Sequence, residues 1–119
     1  MIEFGMLLRK LRKENGESLQ SLATKLGVGV PFLSLIENGK KLVPVEYGDK
    51  LIKIFNLDPD SAIELRDSID YSNKKISIDL EKMNELQKEV SITFARTINT
   101  ASQKKLEELR KLLENVDEE

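Results

Sequence analysis

Ser18-Leu19-Gln20-Ser21-Leu22-Ala23-Thr24-Lys25-Leu26-Gly27-Val28-Gly29-Val30-Pro31-Phe32-Leu33-Ser34-Leu35-Ile36-Glu37-Asn38-Gly39 is the stretch whose reading decides the fold. Ser18 is a good N-cap for a short helix from Leu19 to Leu26, because its hydroxyl can accept a backbone N–H that the first turn leaves unpaired. Leu22, Ala23 and Leu26 share the inner face of that helix, and Ala23 is small where two helices must cross closely. Gly27 permits a positive φ in the turn that follows. A second helix starts near Val30, with Pro31 in its first turn, where a missing N–H costs nothing. It runs to Asn38, Gly39 ends it, and Phe32 or Leu33 together with Ile36 face the core. Two short helices joined by a glycine turn make a helix-turn-helix.

Working outward, Phe4, Leu7, Leu8 and Leu11 recur at helical spacing and predict a preceding helix from about Phe4 to Asn15, closed by Gly16. Lys40 to Pro44 reads as a loop. A helix from about Val45 to Phe55 follows, with Tyr47, Leu51, Ile54 and Phe55 inward; Gly48 inside it lowers helix propensity with no evident return. Asp58-Pro59-Asp60 opens a further helix carrying Ala62, Leu65 and Ile69. Between Tyr71 and Lys75 the periodicity stops, which predicts a boundary between a first domain over residues 1–70 and a second over 71–119. Ile76, Ile78 and Leu80 then alternate with Ser77 and Asp79 as in a short strand. A helix from about Glu81 to Asn99 carries Met83, Leu86, Val90, Phe94 and Ile98. Thr100 with Gln103 has capping-box spacing for a last helix bearing Leu106, Leu109, Leu112, Leu113 and Val116. The acidic end, Asp117, Glu118 and Glu119, is expected to fray.

Composition narrows the function. The chain of 119 residues is 39% apolar and 34% charged, with aromatics at only 5%, which suits a helix-rich globular protein better than a β-sandwich. It contains no cysteine and no histidine. Disulfides, thiolate catalysis and zinc-finger chemistry are thereby excluded, and the commonest general base and metal ligand are missing. No carboxylate or lysine constellation suggests an enzyme, and no cofactor or metal is expected. No run approaches the roughly 18 apolar residues of a membrane span. The first residues lack the pattern of a secretory signal, so a cytoplasmic location is the default expectation. The net charge of −2 divides unevenly: residues 1–57 hold nine cations against six anions, the remainder ten against fifteen. The acidic half hides a basic head.

The Leu22-Ala23 pair, Gly27, the Leu33-Ser34 pair and the ending Ile36-Glu37-Asn38-Gly39 together resemble the lambda-repressor-like, or Xre-type, family of helix-turn-helix regulators over about Phe4 to Leu57. The resemblance implies a five-helix DNA-binding head; with the short strand and the two C-terminal helices read above from their residue pattern, the chain is expected to be mainly all-α, its last segment serving dimerisation. The resemblance further implies that the third helix enters the major groove of double-stranded DNA, with Gly29, Val30, Pro31, Ser34 and Leu35 facing bases. Ser18, Gln20, Asn38, Lys40 and Lys41 fall at its phosphate-gripping positions. It also implies an ion pair between Arg12 and Glu37. Leu19 stands where the family usually has Gln. Val30, Pro31 and Leu35 are apolar at the reading helix, so they cannot form bidentate bonds to guanine or adenine. They can touch thymine methyls, which leaves Ser34, backbone groups or DNA shape to supply specificity; alternatively the three form a partner-binding apolar patch.

The leading expectation is a sequence-specific transcriptional regulator, a repressor, reading a palindromic operator as a homodimer. A lone strand cannot pair its own backbone groups, and no second strand of equal quality exists in the chain. Two copies of Lys75 to Leu80 are therefore expected to pair antiparallel across a twofold axis. Ile76, Ile78, Leu80, Met83, Leu86, Val90, Phe94, Leu106, Leu109 and Leu113 would form that interface. The alternative is an antitoxin-like protein whose C-terminal half binds a toxin or anti-repressor. No membrane partner is expected.

Overall fold

The structure, a computed structural model, describes residues 1–116; the three residues expected to fray lie outside them. Its contacts divide the chain into a first unit, Met1–Ile76, and a second, Ser77–Glu119. The first contains α1 (Phe4–Glu14), α2 (Leu19–Leu26), α3 (Val30–Glu37), α4 (Tyr47–Ile54) and α5 (Pro59–Asn73). Thus α5 runs past residue 70, the boundary that periodicity predicts, because Ser68, Ile69, Ser72 and Asn73 still have partners in the head.

The helix ends follow from the capping chemistry. The Ser18 hydroxyl accepts from the Ser21 N–H at 3.0 Å and starts α2, while Gly27 ends it at φ 75°. The Asp58 carboxylate accepts from the Ser61 N–H at 2.7 Å and starts α5, with Pro59 in the first turn. Asn15 closes α1 by donating from its side-chain amide to the Leu11 carbonyl at 2.8 Å. The expected start of α4 at Val45 moves to Tyr47, because Pro44 to Glu46 form a turn in which the Tyr47 N–H reaches the Pro44 carbonyl.

α1 packs on α3 and α5, α2 on α3 and α4, and α4 on α5. Phe4, Leu8, Leu22, Leu33, Ile36, Leu51 and Leu65 are the fully buried centre of the resulting core. Leu19 is partly buried against it, which accounts for an apolar residue where a polar one is usual in the resembling family. Among the described residues no single helix is long and apolar enough to cross a membrane.

The second unit holds α6 (Glu85–Thr97) and α7 (Gln103–Glu114). Three expectations are corrected here. Residues 75–80 are irregular, and the described residues contain no strand: the single chain offers no partner for an extended ladder. Asp79 instead accepts from the Glu81 N–H, and the Met83 N–H bonds the Leu80 carbonyl. The helix expected from Glu81 begins at Glu85, because Asn84 and Gln87 form a reciprocal capping box at 2.8 and 2.9 Å. Likewise Ser102, not Thr100, caps α7 by accepting from the Lys105 N–H, while the Thr100 hydroxyl turns back to the Thr97 carbonyl.

Candidate nucleic-acid interface

The chain turns through 108° between α2 and α3, within the range of a helix-turn-helix. The crossing is held from inside by Leu22, Ala23 and Leu26 of α2 and Leu33 and Ile36 of α3, all buried. Gly29 is the N-cap of α3 and offers no side chain, so the free N–H groups of the first turn stand open beside exposed Val30 and Pro31. Such a helix start presents partial positive charge and unpaired donors, the chemistry that receives a phosphate or a base edge.

Ser34 and Leu35 lie half-buried one turn further on. Asn38 donates to the Ser34 carbonyl at 2.9 Å and approaches its hydroxyl at 3.4 Å, so these two residues act as one hydrogen-bonded group at the end of α3. Ser18 and Gln20 are exposed at the start of α2, with the Ser18 oxygen already engaged in its cap. Lys40 and Lys41 are exposed in the loop after α3. The Lys41 ammonium sits 5.6 Å from the centre of the Phe32 ring, which in turn meets Tyr47 edge-on at 6.5 Å. A cation over an aromatic face is held by the ring quadrupole, so Lys41 has a preferred seat. Lys50 lies in the same relation to Tyr47, at 5.7 Å.

Behind this face, Glu37 ends α3 with its carboxylate buried. Arg12 donates to it through two bonds, Nε to Oε2 at 3.0 Å and a terminal nitrogen to Oε1 at 2.7 Å. This fork-to-fork geometry is the strong arrangement for a guanidinium and a carboxylate. Arg9 adds a bond from Nε to Oε1 at 3.2 Å. The Glu37 side chain is 6% exposed, that of Arg12 15% and that of Arg9 44%, so Arg12 is the structural partner and Arg9 stays largely in solvent. The Glu37 carboxylate holds the Arg12 guanidinium above its ordinary pKa, against the opposing effect of partial burial.

Three residues that sequence reasoning missed complete the head. Gly5 sets the approach of α1 to α3, because a Cβ there would lie 1.9 Å from the Glu37 carbonyl oxygen. Ser72 accepts from the Phe4 N–H at 2.8 Å and donates to Glu3 at 2.9 Å, capping α1 from 68 residues away. Asn73 bonds both backbone groups of Val43. Periodicity cannot reveal such ties, since each joins residues distant in the chain.

The residues named for the dimer interface lie in or next to the second unit. No residue of α6 or α7 is buried. Leu80, Met83, Phe94 and Leu106 are half-covered, while Ile76, Ile78, Leu109 and Leu113 are exposed. Leu86 and Val90 are 69% and 59% exposed, on adjacent turns of one helix face. Among the described residues no cluster of carboxylates is placed to hold a metal ion.

Comparison with known proteins agrees with the geometry. A helix-turn-helix family model matches residues 8–61. No curated protein and no solved structure shows a significant similarity to the chain. The matched segment begins within α1, spans α2 through α4 and ends in the first turn of α5. Over residues 8–61 the chain is therefore similar to the helix-turn-helix family in sequence, as it is in the geometry of α2 and α3.

Proposed function

We propose that this protein is a sequence-specific DNA-binding transcriptional regulator that acts as a homodimer, with α3 in the major groove of a palindromic operator and repression as its effect. The observation that carries the reading is the exposed start of α3. Gly29, Val30 and Pro31 stand free there, on a helix braced by the Arg12–Glu37 bonds and flanked by Lys40 and Lys41. Val30, Pro31 and Leu35 meet thymine methyls, Ser34 and backbone N–H groups meet base edges, and DNA shape supplies further discrimination. Ser18, Gln20, Asn38, Lys40 and Lys41 grip phosphates. The reading carries with it a cytoplasmic location.

The second unit supplies the dimer. None of its helical residues is fully buried, and two short helices in that state need a further surface to be stable in water. A second copy provides it through Met83, Leu86, Val90 and Phe94 of one helix and Leu106, Leu109 and Leu113 of the other. Two heads about a twofold axis then read half-sites about 34 Å apart or a multiple of it. The same uncovered face suits a toxin or anti-repressor protein, and sedimentation of the chain alone separates the two occupants. The function is tested by selecting bound duplexes from a random pool at several salt concentrations. Enrichment of a palindrome is expected; a pool that stays random at every salt concentration rejects the reading.

A further inference from the structure

We propose that Asn73, at the end of α5, is a positioning residue for the phosphate-gripping loop, acting through the backbone of Val43. The inference rests on the DNA-binding reading above. Its side-chain oxygen accepts from the Val43 N–H at 2.9 Å, and its amide donates to the Val43 carbonyl at 2.9 Å. One side chain thus satisfies both backbone groups of one residue, as a neighbouring strand would. The loop has little else. The Lys40 N–H bonds the Leu35 carbonyl in α3, and the next backbone bond is that of Tyr47 to Pro44. Between them, among the described residues, the N–H groups of Lys41 and Leu42 have no protein partner, and both residues are exposed. Val43 is 4% exposed. Its buried side chain and the Asn73 pair therefore fix the path of the chain beyond Lys40, where the N–H groups of Lys41 and Leu42 have no tie of their own.

A phosphate contact needs the ammonium at hydrogen-bonding distance when the helix docks, and a wandering loop must give up conformational entropy on binding. Asn73 removes that cost beforehand. It also stands three residues before the end of the first unit, so the pin for the DNA-facing loop lies where the chain leaves the head.

The test uses the full chain and a mixed-sequence duplex, titrated across salt. Asn73→Ala is expected to weaken binding about 3- to 10-fold and to lower the salt slope by roughly one, as removal of one phosphate-bound cation does. In a Lys40→Ala/Lys41→Ala background it should lower the slope no further. Ser72→Ala removes the neighbouring tie of α5 to α1 and should leave the slope at the parent value. A parent slope for Asn73→Ala, or an equal drop for Ser72→Ala, overturns the proposal. Amide exchange in the unaltered protein provides a second check that no variant can spoil by unfolding. The Val43 amide should exchange far more slowly than those of Lys41 and Leu42, and equal rates would show that the pin is not formed. Absence of binding by the parent chain would instead reject the DNA-binding reading.

Discussion

Gly5 lies against the backbone carbonyl of Glu37 so closely that a Cβ on it would sit 1.9 Å from the oxygen. The obstacle is backbone, which cannot swing aside as a side-chain tip can. Gly5→Ala is therefore expected to destabilise the head by about 1–3 kcal/mol, although alanine is the better helix former. Gly48 is the contrast. A Cβ there would meet only the Ile69 side chain at 3.5 Å and that of Arg66 at 3.8 Å, ordinary contacts, so Gly48→Ala should raise stability by up to ~1 kcal/mol. Urea unfolding of the two variants beside the parent checks both signs.

The same glutamate anchors the second expectation. Glu37→Ala strands the partly buried Arg12 guanidinium and should cost about 3–5 kcal/mol, the range for breaking a buried pair. Arg9→Ala removes a partner that is 44% exposed and should cost no more than about 1 kcal/mol. Equal losses for the two variants would show that the forked pair is not the principal brace between α1 and α3.

Binding separates charge from reading. Lys40→Ala and Lys41→Ala should weaken binding to all duplexes alike and lower the salt slope by roughly one for each phosphate left without its ammonium. Ser34→Ala should shift preference among sequences with the slope intact, since the proposed reading sets Ser34 against a base edge rather than a phosphate. Salt titrations on selected and mixed-sequence duplexes make the distinction; a lysine variant that alters only sequence preference contradicts it.

Assembly is checked by sedimentation at micromolar concentration. The parent chain should be dimeric. Leu86→Glu with Val90→Glu places two charges on a face already exposed in the monomer, so the fold should survive while the dimer dissociates and operator affinity falls. A chain ended after Ile76, which keeps Asn73 and its bonds to Val43, should be monomeric. Dimers of undiminished affinity from either variant rule out the second unit as the interface.

Acid should act through two carboxylates. Glu17 accepts hydrogen bonds from Lys25 and then from Ser21, and both draw its pKa below the ordinary 4.5. Asp58 lies below its ordinary 3.8, chiefly through the Ser61 backbone N–H and then its hydroxyl. A carboxyl with a depressed folded pKa stabilises fully above its unfolded value and loses that contribution as pH falls through the folded one. With no histidine in the chain, stability should be flat between about pH 5 and 8 and decline below the ordinary carboxylate range. Glu17→Gln should remove part of that decline. A midpoint in urea that drops between neutral pH and about pH 5 would contradict this account.

Within the head, what the sequence determined by itself is local. Ser18, Gly27, Pro31 and Asp58 act on groups within a few residues, so the caps and the turn between α2 and α3 were legible along with the apolar stripes. Arg12 and Glu37 became legible only through family resemblance. Beyond residue 75 the local signals competed: Ile76, Ile78 and Leu80 alternate as a strand does, yet a strand requires a partner that one chain lacks. The start of α6 went to Asn84, whose reciprocal bonds with Gln87 outweigh the earlier apolar positions. Tertiary structure alone decided the roles of Gly5, Ser72 and Asn73. Each acts on a backbone group between 30 and 68 residues away, where a Cβ would collide or a buried N–H would go unpaired. Periodicity records which face of a helix is apolar; it holds no record of which carbonyl that face will meet.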